Sequence, residues 1–196
     1  MVKSCANRIT SFLISNKAIK REDYELYSYG FETLIAFFIN ISIILIIGYF
    51  LDKTLETILF LIFYCPIRQF SGGYHADNYL KCLIVFISIY ILNVLALNNL
   101  GYSERDWIIF ILACISYLGI WYIAPLEHRQ KPLTIKEKNI YKKKVTKLIT
   151  IALIIAIICR NFDITYRYSI YIESSIICIF IMLLLGLIKK LRGEHI

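Results

Sequence analysis

Charge is scarce in this 196-residue chain: 18% of the residues are Asp, Glu, Lys or Arg, and 59% are hydrophobic. Soluble domains usually carry about a quarter charged residues. The few charges lie in clusters between long runs of Ile, Leu, Phe and Tyr, which is typical of a protein with several membrane helices. The composition therefore predicts an all-α polytopic membrane protein.

The sequence also lacks the patterns of several familiar catalytic and metal sites. It has 3 histidines and no HExxH, which disfavours a zinc metalloprotease, and it has neither GxSxG nor a Gly-rich phosphate loop. No two of its 6 cysteines lie at CxxC spacing, which argues against a metal knuckle or a redox pair. We therefore predict no metal and no cofactor.

Six apolar runs are candidate membrane helices, and the second and fifth of them are short. They cover Phe31–Leu51, Leu55–Tyr64, Cys82–Leu97, Trp107–Ala124, Leu148–Cys159 and Tyr168–Ile188. If all six cross and the N-terminus is cytoplasmic, 18 of the 22 basic residues face the cytoplasm, as the positive-inside rule requires. Both termini are then cytoplasmic in a single domain over 1–196. We attribute the net charge of +8 to the membrane topology and to anionic headgroups of the lipid bilayer, and we predict no nucleic-acid partner.

Two segments outside the apolar runs are expected on the cytoplasmic side. Residues 1–30 are mixed polar and predict an amphipathic helix at the inner leaflet rather than a signal peptide, with a solvated arm as the alternative. Residues 125–147 form a basic loop in which Thr134 and Glu137 have the spacing of a helix capping box. Within the apolar runs, Glu32 and Glu173 are carboxylates for which we expect structural roles.

The polar stretch 65–82 places two reactive groups, His75 and Cys82, between apolar runs. On one straight helix they would be two turns apart, about 10 Å along the axis, and their side chains would not meet. A thiol–imidazole pair therefore requires His75 to lie on a folded-back loop, which Gly72 and Gly73 would permit. The alternative is an interfacial histidine and a packing cysteine.

The neighbours of this pair fit a catalytic hypothesis. Pro66 is expected to end the second helix. Asp77 or Asn78 is expected to cap the next helix, which puts Cys82 in its first turn or just beyond. A helix N-terminus and the adjacent Lys81 would favour a thiolate, and an imidazole would take the proton. The stretch 65–82 is therefore a candidate catalytic loop at the cytoplasmic face.

These residues resemble a specific family, accessory gene regulator B (AgrB), the membrane-embedded cysteine endopeptidases of bacterial quorum sensing. The shared pattern is a basic residue, a Gly-rich turn that runs into His-Ala, and a cysteine seven residues after the histidine. The matching positions are Arg68, Gly72-Gly73, His75-Ala76 and Cys82. A second similarity is Ala124-Pro125 followed by Lys131-Pro132, at the start of the basic loop.

The resemblance implies a concrete reaction on an AgrD-type precursor peptide. Cys82 would attack the scissile carbonyl near the acidic C-terminal tail of the peptide, with His75 as general base and then as acid. A cysteine or serine of the peptide would capture the acyl-enzyme thioester, which yields a thiolactone or lactone. The resemblance also implies a multi-pass protein of the bacterial cell membrane and a homodimer.

Other residues of the stretch have hypothetical supporting roles. Arg68 would bind a substrate carboxylate or steady the oxyanion, and a simple inner-face anchor is the alternative. Gly72 and Gly73 would offer backbone N–H groups as an oxyanion hole. No third catalytic residue is assignable, and Asp77 and Asn78 are the nearest candidates to orient the pair.

The basic loop suggests a further contact with the substrate. Lys142, Lys143 and Lys144 would hold the acidic tail of the precursor, and an ordinary cytoplasmic anchor is the alternative. Two other functions stay open for the whole chain: a peptide exporter or small transporter built on the short second and fifth segments, and a non-catalytic membrane partner of a sensor kinase. The grouping of rare reactive residues at one cytoplasmic edge favours the enzyme.

Overall fold

The computed structural model describes residues 2–74, 79–100, 106–127 and 133–192. These residues form seven α-helices, one 3-10 turn at Arg21–Asp23 and one isolated β-bridge. The helices are α1 (Val2–Ser15), α2 (Tyr24–Phe50), α3 (Thr54–Ser71), α4 (Tyr79–Leu100), α5 (Asp106–Ile123), α6 (Ile135–Arg160) and α7 (Asp163–Leu191). The predicted all-α fold is confirmed for this part of the chain.

Three of the helical segments are long and apolar enough to cross a membrane by length and composition. They are Arg21–Phe50, Leu80–Asn99 and Asp163–Leu191. A lipid bilayer offers no hydrogen-bond partners to the backbone, so a single apolar segment that enters it satisfies its amide groups by forming a helix. These helices agree with the membrane protein expected from the composition.

The end of α3 corrects one expectation, because Pro66 does not stop the helix. α3 runs for 18 residues and continues through Pro66 to Ser71. A proline removes one backbone hydrogen bond, whereas a helix that ended at Pro66 would leave several further amide and carbonyl groups without partners in apolar surroundings. The helix ends instead before Gly72, whose φ of 70° an L-residue rarely adopts.

The fifth apolar run is likewise part of a longer helix than its apolar length indicates. α6 has 26 residues, begins in the basic segment and continues through the apolar run to Arg160. At its start, the Glu137 amide donates to Thr134 Oγ1 at 3.3 Å and the Thr134 amide donates to Glu137 Oε2 at 2.9 Å. The predicted capping box is confirmed, and it fixes where the basic helix begins.

Residues 1–47 and residues 48–196 form two compact units. In the first unit, Ala6 and Thr10 of α1 are buried, and the hydroxyl of Ser28 in α2 donates to Asn7 Oδ1 at 2.7 Å. Phe12 of α1 is 66% exposed. The helix therefore keeps apolar surface outside its contact with α2, and its position at the inner leaflet stays a prediction.

In the second unit, α7 is the central helix and packs against α3, α5 and α6. Its middle is buried nearly all round, and the apolar side chains that fill this core include Ile172, Ile176, Ile179 and Leu183. A helix that is apolar on every side is expected to be surrounded by other helices. α7 is therefore the element against which the other helices of this unit are placed.

Glu173 shows how a carboxylate is accommodated inside this apolar unit. Its fully buried side chain accepts from Nη1 of Arg160, at 2.9 Å to Oε1 and 3.1 Å to Oε2. The Arg160 guanidinium also lies 4.9 Å from the ring centroid of Trp107 and 5.3 Å from those of Phe110 and Tyr166. A buried carboxylate is costly unless it is paired. The pairing supports the structural role expected for Glu173.

Candidate active site

Aromatic contacts between α3 and α4 show which residues of the two helices lie at the same level along the helix axes. The rings of Tyr64 and Phe86 stack with their centroids 5.2 Å apart, and the ring centroids of Phe60 and Tyr90 are 5.6 Å apart. α3 and α4 are therefore antiparallel, and one turn further towards the same end lie Arg68 on α3 and Cys82 on α4. Cys82 is half-buried in the first turn of α4, as predicted.

Arg68 holds the chain that leaves α3. Its Nη1 donates to the carbonyl oxygen of Gly72, and its Nη2 donates to the carbonyl oxygen of Tyr74 at 2.6 Å. The planar guanidinium presents several donors in a fixed arrangement, which suits it to bridge two carbonyls. This contact was not among the roles considered from the sequence: Arg68 holds the chain segment that leads to His75. The roles predicted for Arg68 towards a substrate stay predictions.

The two glycines allow a backbone path that other residues would strain. Gly72 and Gly73 have φ angles of 70° and 119°, both in the region that favours glycine. Gly72 forms a parallel bridge with Leu126, whose amide donates to the Ser71 carbonyl at 2.9 Å. A Cβ on Gly72 would collide with the Leu126 carbonyl oxygen. The glycines therefore allow a backbone path after α3 that other residues would not adopt, and the folded-back position of His75 stays a prediction.

The segment Ser71–Tyr74 also rests on α7. The Tyr74 amide donates to the Met182 carbonyl at 2.9 Å, and a Cβ on Gly186 would lie 2.6 Å from the Gly73 carbonyl carbon. Lys189, one turn nearer the end of α7, has its Nζ 5.6 Å from the centroid of the Tyr74 ring. The segment is thus held between α7 and the chain around Leu126.

His75, Asp77 and Asn78 lie outside the described residues. What the structure describes is the chain on both sides of them: the anchored segment that ends at Tyr74 and the helix that begins at Tyr79. The roles predicted for these three residues, and the oxyanion hole proposed for Gly72 and Gly73, stay predictions.

Four contributors were missed from the sequence: Leu126, Met182, Gly186 and Lys189. Leu126 contributes a backbone amide and Met182 a backbone carbonyl. Nearly every residue type has both groups, so the sequence does not show which residues make such contacts. Gly186 did carry a signal, because a lone glycine in an apolar helix is typical of a close approach by another backbone. Lys189 is only 8% exposed, but its position beside a second lysine at the chain end made it resemble an ordinary inner-face anchor.

The three lysines proposed to hold a peptide tail have different surroundings. Lys142 donates to the carbonyl oxygens of Trp121 and Tyr122, the latter at 3.5 Å, so it caps the last turn of α5. Desolvation there lowers the pKa of its ammonium group. Lys144 lies over the ring of Phe70, 4.6 Å from the centroid. Lys143 is exposed. Of the three, Lys143 has the geometry best suited to an external anion.

Metal chemistry has no candidate centre in the part of the chain that the structure describes, where no three His, Cys, Asp or Glu side chains lie close enough to share an ion. The described cysteines are all free thiols. Cys65, like Cys82, is half-buried, but it lies within α3 and not at a helix start. The chemistry that this arrangement can supply is that of a thiol at a helix N-terminus beside an anchored turn.

Comparisons with known proteins identify the family that this chain resembles over most of its length. The family model described as Accessory gene regulator B matches residues 6–189. An AgrB-like protein of Clostridium perfringens strain SM101 is 28% identical over 164 residues, which are 81% of this chain and 77% of that protein. AgrB-like protein 1 of C. perfringens strain 13 is 31% identical over 158 residues, 79% and 81% of the two chains. An AgrB-like protein of Listeria innocua is 24% identical over 144 residues, 72% and 68% of the two chains. No solved structure matches.

Proposed function

Since the chain belongs to the accessory gene regulator B family and hence to the agr quorum-sensing system, we propose that it is a membrane cysteine endopeptidase acting on an AgrD-type precursor peptide. It removes the C-terminal tail of the peptide and supports its closure to a thiolactone or lactone. The observation that carries the proposal is that Cys82 lies in the first turn of α4, at the end of the bundle where Arg68 anchors the segment that leads to His75.

The first half of the reaction is an acyl transfer to the enzyme. The sulfur of Cys82 bonds to the scissile carbonyl carbon while His75 accepts the thiol proton. The bond to the amide nitrogen then breaks, and the imidazolium returns the proton to the leaving amine. The tail departs with a new amino terminus, and the body of the peptide stays on Cys82 as a thioester.

The second half transfers the acyl group within the peptide. A cysteine or serine side chain of the bound peptide attacks the thioester carbonyl, His75 accepts its proton, and the Cys82 thiolate leaves and is reprotonated. For a cysteine nucleophile, one thioester is exchanged for another, so the step is close to balanced in energy. Loss of the tail prevents reversal of the first step, and exclusion of water from the site suppresses hydrolysis of the thioester, so the ring is the product.

The proposal includes the arrangement in the bacterial cell membrane. Helices α2 to α7 cross the bilayer with both termini in the cytoplasm, and two copies form a homodimer. Support comes from the three long apolar helices and from the 18 of 22 basic residues that this topology places inside. A Lys143→Cys variant in intact cells is then protected from a membrane-impermeant maleimide and reacts after the cells are opened. Labelling of intact cells at this position would overturn the topology.

The catalytic proposal is tested with purified protein in lipid vesicles. The probe is a synthetic AgrD-type peptide with an internal cysteine and an acidic tail, and its mass is followed over time. The native chain is expected to release the tail and to carry a transient adduct of the remaining peptide on Cys82. Cys82→Ala is expected to release none.

Cys65→Ala is the matched control, since Cys65 is also half-buried but lies inside α3. It is expected to process the peptide at the native rate. Undiminished tail release by Cys82→Ala would contradict the mechanism. Transport of uncut peptide into the vesicles by both variants would favour the exporter instead.

A further inference from the structure

The turn of α7 from Met182 to Gly186 forms a socket for the segment Ser71–Tyr74. The Tyr74 amide donates to the Met182 carbonyl at 2.9 Å, and a Cβ on Gly73 would be 2.9 Å from the same oxygen. A Cβ on Gly186 would lie 2.6 Å from the Gly73 carbonyl carbon and 2.7 Å from the Tyr74 nitrogen. These separations are shorter than a real Cβ contact, so the backbones meet only because both positions are glycine.

The contact is made by rigid parts of both partners. On the side of Gly186, the two nearest atoms that a Cβ would meet are backbone atoms of Gly73 and Tyr74, which cannot rotate away as a side chain does, and the third is Cδ2 of Leu126. On the other side, the segment is fixed by the guanidinium of Arg68 and by the amide of Leu126. A displacement of the segment from α7 therefore cannot be absorbed locally.

The position of this contact in the chain gives it a consequence for chemistry. Tyr74 directly precedes His75, so a shift of the Tyr74 amide moves the start of the candidate catalytic segment. Acid–base catalysis is sensitive to such shifts, and a misplacement of about 1 Å can cost about 100-fold in rate. α7 is remote from Cys82 in sequence, yet it fixes where this segment begins.

We propose that Gly186 is a positioning residue for the peptidase reaction: the absence of its side chain lets the backbone before His75 dock on α7, and Lys189 covers the docked Tyr74 ring. The inference rests on the proposed function and extends it to a helix that carries none of the candidate catalytic groups. Lys189 is 8% exposed, and its Nζ lies 5.6 Å from the Tyr74 ring centroid, within the range of a cation–π contact.

The test compares Gly186→Ala with Gly119→Ala in the full chain in lipid vesicles. A Cβ on Gly119 of α5 would also crowd α7, but it would meet the far end of the Phe180 ring and no part of the segment before His75. With the synthetic precursor peptide as substrate, Gly186→Ala is expected to lower kcat by about 10- to 100-fold with KM changed less than about twofold. Gly119→Ala is expected to keep the native kcat.

A second measurement reports the docking without activity. The Tyr74 amide, bonded to the Met182 carbonyl in the native chain, is expected to exchange its hydrogen about 10-fold or more faster in Gly186→Ala and at the native rate in Gly119→Ala. Faster exchange together with a lowered kcat supports the inference. Native exchange or native kcat in Gly186→Ala overturns it, as does an equal loss of kcat in Gly119→Ala.

The outcomes separate this inference from the function on which it rests. If Cys82→Ala still processes the peptide, the proposed function fails whatever Gly186→Ala does. If Cys82→Ala is inactive and Gly186→Ala retains the native kcat, the function stands and the positioning role fails.

Discussion

The Arg68 guanidinium donates from Nη2 to the carbonyl oxygen of Tyr74 at 2.6 Å, and the same side chain donates from Nη1 to the carbonyl of Gly72. One side chain thus closes the turn between α3 and the residue before His75. A lysine ammonium is a compact charge without a planar fork, so it cannot hold both carbonyls in the same way. The role of Arg68 therefore depends on the planar geometry of its guanidinium as well as on its charge.

Arg68→Lys is therefore expected to lower kcat for precursor cleavage by about 10-fold or more while KM stays within about twofold. The measurement is steady-state cleavage of the synthetic peptide in vesicles. Arg192→Lys is the control, since Arg192 is exposed just after α7, and it is expected to be neutral. A rise in KM at constant kcat would point instead to binding of a substrate carboxylate by Arg68.

Gly72→Ala is expected to destabilise the protein by about 2 kcal/mol or more, because a φ of 70° is strained for alanine and the new Cβ collides with the Leu126 carbonyl. Gly30→Ala is the matched control, since a Cβ there meets no atom within 4 Å, and it is expected to be neutral or to stabilise by up to about 1 kcal/mol. Denaturant unfolding in detergent measures both. Equal stability of the two variants would contradict the close approach.

Lys142→Met is expected to affect stability, whereas Lys143→Met is expected to affect KM for the peptide. Lys142 caps α5, so its loss should lower the free energy of unfolding by about 1 kcal/mol. Lys143 is exposed, so its loss should leave stability unchanged and raise KM for a peptide with an acidic tail by about two- to fivefold at low salt. The effect on KM should shrink as salt is added. An unchanged KM at every salt concentration would remove Lys143 from the substrate site.

The Arg160–Glu173 pair lends itself to a double-mutant cycle. Glu173→Gln leaves the buried guanidinium without its carboxylate and is expected to cost about 3 kcal/mol, and Arg160→Met should cost a similar amount. The double variant should lose less than the sum of the two, because it removes both charges together. Unfolding of the four proteins in detergent gives the coupling energy. Strict additivity would show that the pair does not act as a unit.

Much of the fold could be predicted because apolar runs and charge spacing are local signals. Each of the six runs lies largely within one helix, and the capping box at Thr134 and Glu137 follows from two residue types three positions apart. The lengths of α3 and α6 were underestimated for one shared reason. Apolar content marks the part of a helix in apolar surroundings, whereas the hydrogen-bonded helix extends past it, through Pro66 in one case and back to Ile135 in the other.

The candidate site was only half predictable. Arg68, Gly72, Gly73 and Cys82 carry unusual residue types in one short stretch, so their grouping is visible in the sequence. The contacts that hold these residues in place are not visible in the sequence, because Met182 and Leu126 contribute backbone atoms from more than 50 residues away in the chain. Nor could the sequence separate Lys142 from Lys143, whose difference lies in which one reaches the end of α5.

Apart from Arg68, the contacts that hold the turn before His75 are made by main-chain atoms: the Leu126 amide on Ser71 and the Met182 carbonyl on Tyr74. Such contacts survive a change of side chain at either contributor. Leu126 and Met182 are therefore open to exchange for other apolar residues, whereas Gly72, Gly73, Gly186 and Arg68 are not. A mutational scan of this region should consequently give a sparse pattern, with a few intolerant positions separated by permissive ones, and the intolerant set would include one residue more than 100 positions away from the turn it serves.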